Sequence, residues 1–191
     1  GSFTDAGGIA NADRIARWDG NSWSALGSGI GNNIVYALDA SGTDVYVGGS
    51  FTDAGGNGSA DRIARWNTGS SSWFALSTGV SATVYAIEIS GSDVYIGGTF
   101  LNAGSASGDR IVRWTGAAWS ALGAGLGGTV TSILADGSNI YVGGGFTNAG
   151  GIAEADGIAL WNGAAWSALG TGISGCYMML PGSVYVIRII E

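Results

Sequence analysis

The chain has 191 residues, with 37 glycines, one proline, 46% apolar and 11% charged residues, and a net charge of −7. It is long enough to bury a core, too apolar for disorder, and its glycines follow no Gly-X-Y period, which excludes collagen. All seven basic residues are arginine and histidine is missing, so no nucleic-acid or anionic membrane surface is expected, and the commonest general base and transition-metal ligand is absent.

A motif recurs along the chain. It reads DRIARWDGNSW from Asp13, DRIARWNTGSSSW from Asp61, DRIVRWTGAAW from Asp109 and DGIALWNGAAW from Asp156. The first tryptophans are Trp18, Trp66, Trp114 and Trp161, so the period is 48, 48 and 47 residues. A fixed period of this length marks a repeat architecture.

In chain order, the N-terminal part supplies a loop, then a third strand at Arg14–Trp18 and a fourth from Trp23. The most complete repeat follows further on. Val84–Ser90 alternates large apolar residues at a period of two, which predicts a first strand. Gly91-Ser92-Asp93 predicts a tight turn, and Val94–Ile96 a second strand ending in the doublet Gly97-Gly98. Thr99–Gly108 reads as a polar, glycine-rich loop, Arg110–Trp114 as a third strand and Trp119–Leu122 as a fourth. Ala124–Gly128 connects to the next repeat. At the other end, Cys176–Ile190 supplies only a first and a second strand, complementing the N-terminal half. No segment has a sustained period of 3.6, so essentially no helix is expected. Nor does any apolar run approach the roughly 20 residues that span a bilayer. No signal peptide is visible, and the chain begins inside a repeat.

Four short strands per repeat of this length predict an all-β chain, a β-propeller of four blades forming a single domain over residues 1–191. One blade is shared between the chain ends. The result is either a four-bladed ring or half of an eight-bladed homodimer. Bulky tryptophans suit the outer strands, where blades diverge. Ala37, Ala86 and Ser132 suit the innermost strand, and the glycine doublets suit a close approach of another segment.

The run VYVGG at Val45–Gly49, followed by Trp66 and, after six intervening residues, Trp73, resembles a kelch motif. The doublets Gly48-Gly49, Gly97-Gly98 and Gly143-Gly144 fit it; the last repeat reads Tyr185-Val186-Ile187-Arg188 instead. The segments SFTDAGG and RWDGNSWSALGSG are similar to arrays in large secreted bacterial repeat proteins, some of them called galactose-oxidase-like. The resemblance implies a propeller whose chain ends pair within one sheet, and an extracellular location. It says little of function, since such propellers serve many roles.

Candidate sites follow from the period. Asp5, Asp53, Asn102 and Asn148 occupy equivalent places in the loop between the second and third strands. They read either as a ligand-binding ring of oxygens or, in the reading preferred on turn chemistry, as Asx turns before Ala-Gly-Gly. Asp13, Asp61, Asp109 and Asp156 precede the third strand, with Arg14, Arg62 and Arg110 next and Arg17, Arg65 and Arg113 three residues on. Ion pairs between blades or stacking on tryptophan are expected for them. The fourth repeat has Gly157 and Leu160 in place of both arginines. Cys176, the only cysteine, has no histidine to activate it, and no serine has one either. No catalytic residue, metal or cofactor is assigned. The expected function is a non-catalytic scaffold or interaction module. Self-association and a protein or glycan ligand are its expected partners. A lectin-like carbohydrate-binding module is the alternative, and a glycoside-processing enzyme a remote one.

Overall fold

The structure, a computed structural model, describes residues 1–104 and 108–173. The strands expected in Cys176–Ile190 lie outside the described residues, as does Cys176. The chain is all-β. Among the described residues, a short hairpin, β1 (Arg17–Trp18) and β2 (Trp23–Ser24), is followed by three four-stranded antiparallel sheets. The first comprises β3 (Val35–Ser41), β4 (Asp44–Gly49), β5 (Ile63–Asn67) and β6 (Ser72–Ala75). The second comprises β7 (Val84–Ser90), β8 (Asp93–Gly98), β9 (Ile111–Trp114) and β10 (Trp119–Ala121). In the third are β11 (Thr129–Asp136), β12 (Asn139–Gly145), β13 (Ile158–Trp161) and β14 (Trp166–Ala168). Each sheet is a simple meander in which sequence neighbours pair. Helix is limited, among the described residues, to single 3₁₀ turns at Ala6–Gly8, Ala54–Gly56 and Ala149–Gly151.

Hydrophobic clusters lie between successive sheets. One joins Ile15, Leu26 and Ile30 to Val47, Phe51 and Trp66. The next joins Tyr46 and Ile63 to Val84, Ile96 and Phe100. A third joins Tyr95 and Ile111 to Val130, Phe146 and Trp161. Each sheet therefore buries its faces against its neighbours in sequence, as in a repeat protein stabilised by nearest-neighbour interfaces. First strands lie beside one another, β7 contacting both β3 and β11.

The glycine doublets mark two kinds of close approach. A Cβ on Gly48 or Gly97 would run into Val84 or Val130 of the following sheet. One on Gly49, Gly98 or Gly144 would strike the carbonyl of Ile34, Thr83 or Thr129 beside its own first strand. Opposite the doublets each first strand carries a register shift, between Val35 and Ala37, Val84 and Ala86, and Val130 and Ser132. Ala86 and Ser132 are buried there.

The segment read as a polar loop is anchored by an apolar side chain. Phe51, Phe100 and Phe146 are among the largest fully buried residues. Their carbonyls accept the N–H groups of Arg62, Arg110 and Gly157, and Phe3 accepts that of Arg14. A hydrophobic plug thus fixes where each loop rejoins its sheet.

Candidate functional site

Asp5, Asp53 and Asn148 each sit at the start of a 3₁₀ turn with left-handed backbone, φ 47°, 56° and 52°. Their side chains make no capping bond, which corrects the Asx-turn expectation. Asp and Asn stand here because they tolerate left-handed backbone better than other non-glycine residues. The carboxylates that organise these loops are those of Asp13, Asp61 and Asp156. Each accepts the backbone N–H eight residues earlier, of Asp5 (2.8 Å), Asp53 (3.0 Å) and Asn148 (2.7 Å). Asn102 is held differently, its N–H donating to Ser81 Oγ at 3.3 Å. All four candidate residues are exposed, each on its own loop, and among the described residues no hydrogen bond links one to another.

Among the described residues, the ion pairs lie within sheets or between sequence neighbours (Arg14–Asp13 and Arg62–Asp61, each 3.9 Å) and not between sheets, correcting the second expectation. Arg65 meets Asp44 at 3.2 Å across β4–β5, and Arg113 meets Asp93 at 3.2 Å across β8–β9. Arg65 stacks on Phe74, 4.8 Å from the ring centroid, and not on a tryptophan. In the last sheet both partners change together, to Asn139 and Leu160, so no charge is left alone. Arg14, Arg62 and Arg110 have φ of 60°, 61° and 66°. Gly157 takes the same place with φ 68°, and glycine is the residue that suits such a backbone. The guanidinium of Arg14 donates through Nε to the Asn33 carbonyl at 2.9 Å. That of Arg110 reaches the Thr99 carbonyl at 3.4 Å.

Tryptophans pair directly across the outer strands: Trp66 with Trp73, Trp114 with Trp119, Trp161 with Trp166, and Trp18 with Trp23. Ring centroids lie 4.9–5.3 Å apart. Trp66, Trp114, Trp161 and Trp166 are buried in the core, as expected of periodic tryptophans, Trp73 and Trp119 pack partly buried against it, and Trp18 and Trp23 are exposed.

Sequence reasoning missed two features of the first strands. The extra residue at the first two register shifts is Tyr36 or Tyr85, and these rings lie 5.0 Å apart. Bulges re-aim side chains in this way. Asp39 and Glu88, acids in otherwise apolar strands, reach the next sheet: Asp39 Oδ2 accepts from Ile89 N–H (2.8 Å) and Glu88 Oε1 from Ala135 N–H (2.9 Å). The signal was an acid at one place in VYALDAS and VYAIEIS. Burial pushes the Glu88 carboxyl above its ordinary value of 4.5, against the opposing pull of the Ala135 N–H. A raised folded-state pKa gives stability that is full at low pH and lost as pH rises through that value. Glu88→Gln keeps an acceptor for Ala135 and removes the loss. The variant is expected to gain melting temperature over the parent between acidic and neutral pH; parallel profiles would contradict this.

No group of three or more His, Cys, Asp or Glu suited to a metal ion is present among the described residues. Thermal melts with and without a chelator are expected to coincide. A fall of many degrees on chelation would make the Asp5 and Asp53 loops a calcium site instead. No helix among the described residues is long and apolar enough to cross a membrane. No family model and no curated protein matches the chain.

Proposed function

We propose that the chain is a non-catalytic β-propeller scaffold, an interaction module of an extracellular repeat protein, built on kelch-like blades. Sequential four-stranded meanders, stacked face to face with their first strands adjacent, support the propeller reading. The observation that carries the functional reading is how the recurrent polar groups are used. Asp13, Asp61 and Asp156 hold loop backbone, Asp39 and Glu88 hold the next sheet, and Arg65 and Arg113 hold Asp44 and Asp93. Groups bonded in the same way repeat after repeat serve the fold, whereas a catalytic centre needs one distinct constellation. A panel of glycosides is the test: no turnover is expected, and turnover abolished by replacing a single carboxylate would overturn the reading.

A lectin-like role is favoured by one observation, the tyrosine pair Tyr36–Tyr85, partly exposed on neighbouring first strands. Aromatic faces of this kind stack on sugar rings. Asp5, Asp53, Asn102 and Asn148 are the polar loop residues such a ligand would meet. Binding on a glycan array that is lost in Tyr36→Ala and Tyr85→Ala would make this the function.

A further inference from the structure

The three internal junctions share one design. The tryptophan at the first or second position of each fourth strand donates its indole N–H to a leucine carbonyl of the preceding repeat. Trp73 reaches Leu26 at 2.9 Å, Trp119 reaches Leu76 at 3.2 Å and Trp166 reaches Leu122 at 2.9 Å. That leucine opens a turn, its carbonyl also accepting the N–H of Gly29, Gly79 or Gly125. The apolar residue closing the turn, Ile30, Val80 or Leu126, is buried. Turn glycines Gly27 and Gly123 lie against the next tryptophan pair, since a Cβ there would sit 3.1 Å from Trp66 or 3.3 Å from Trp161. At two junctions the Gly29 or Gly79 carbonyl accepts a loop N–H, from Gly55 or Gly104.

The chain carries one more copy of each half of this junction, and both are open. The hairpin half has Trp18 51% and Trp23 42% exposed, against 7% for Trp66 and 9% for Trp161. No acceptor meets the Trp23 indole N–H among the described residues. The turn half is already formed, with Gly172 N–H bonded to the Leu169 carbonyl at 3.2 Å. Yet Gly170 faces open space and Ile173 is 53% exposed.

We propose that the Trp18–Trp23 hairpin of one copy of this chain docks on the Leu169–Ile173 turn of a second copy, reproducing the internal junction. The occupant follows from complementarity, because the surface each half needs is displayed three times inside the chain. Among the described residues both halves are open and do not fill one another, and a second copy offers both. Reciprocal docking makes a two-fold pair, residue i meeting j and j meeting i. Trp23 Nε1 then donates to the partner's Leu169 carbonyl, and the Ile173 side chain enters the core beside Trp18. Closure of the pair into one ring rests on the propeller reading above.

Mass in solution, by light scattering over a range of concentrations, tests it. The parent chain is expected at twice the chain mass. Ile173→Asp and Trp23→Ser, both at exposed positions of the single copy, are each expected to halve that mass while leaving a cooperative melt. Leu101→Asp, at an equally exposed residue outside the junction, is expected to leave the mass unchanged. Tryptophan emission of the parent is expected to shift to the blue as pairs form. A single-chain mass at every concentration overturns the proposal, as do pairs that survive Ile173→Asp. Pairs that Ile173→Asp splits but that show no ring in electron micrographs keep the interface and retire the propeller reading.

Discussion

Trp166→Ala is expected to cost roughly 3–5 kcal/mol, the range for removing a large aromatic from a core. Trp166 is only 7% exposed, packs against Trp161 with ring centroids 5.3 Å apart, and donates its indole N–H to Leu122 across the junction. Removing it empties a cavity between the last two sheets and takes away the bond that joins them. A domain is stable by about 5–15 kcal/mol in total, so the loss consumes a large share and lowers Tm by about 10 °C. Trp166→Phe separates the two contributions. It keeps a six-membered ring in the cavity and drops the donor with the five-membered part of the indole. The Leu122 carbonyl stays bonded to Gly125 N–H at 3.1 Å, so no buried acceptor is orphaned and the cost should fall to about 1–2 kcal/mol. Urea unfolding of the two variants measures both. Equal losses would mean that the six-membered ring Phe retains contributes nothing to the packing.

The strands and their phase were readable because period-two alternation and turn glycines are local signals. Val84–Ser90 and Arg110–Trp114 were expected, and β7 and β9 occupy Val84–Ser90 and Ile111–Trp114. The tryptophans announced a core because they recur at one period. Much of the polar side-chain geometry was not readable. Whether Arg65 pairs within its sheet or across to the next depends on side-chain reach, which a one-dimensional pattern does not carry. The left-handed backbone at Arg14, Arg62 and Arg110 left a single trace, Gly157 at the equivalent place. Asp5 and Asp53 drew attention through their periodicity, but that periodicity reflects a backbone conformation. The phenylalanines Phe51, Phe100 and Phe146 recur as plainly as the tryptophans. They lay hidden among Thr, Asn, Ala and Gly, whose composition reads as loop. Open junction surfaces are equally silent, since Trp23 in WSALGSGI and Trp166 in WSALGTGI stand in nearly identical local sequence and differ in what covers them.

Gly144→Ala is expected to be severely destabilising, while Gly145→Ala, one residue on, is neutral. Neither glycine has a positive φ, so the contrast does not come from backbone preference. A Cβ on Gly144 would collide with the Thr129 carbonyl oxygen and stand 3.0 Å from both Thr129 C and Val130 Cα. All three are backbone atoms on the first strand of its own sheet, beside the Val130–Ser132 register shift. Backbone cannot turn aside as a flexible side chain can, so β11 and β12 must separate. Overpacking a core costs roughly 1–3 kcal/mol even where side chains can yield, and this site should reach or exceed the top of that range. The strain would spread, because Val130 is fully buried in the cluster that joins the last two sheets. At Gly145 nothing lies within 4 Å of the added atom. The equivalent positions, Ser50 and Thr99, already carry side chains. Gly145→Ala should therefore change stability by less than about 1 kcal/mol, with a gain where the unfolded chain loses freedom. Thermal unfolding of the two single variants decides it: comparable melting temperatures would show that β11 and β12 are not held as closely as the doublet requires.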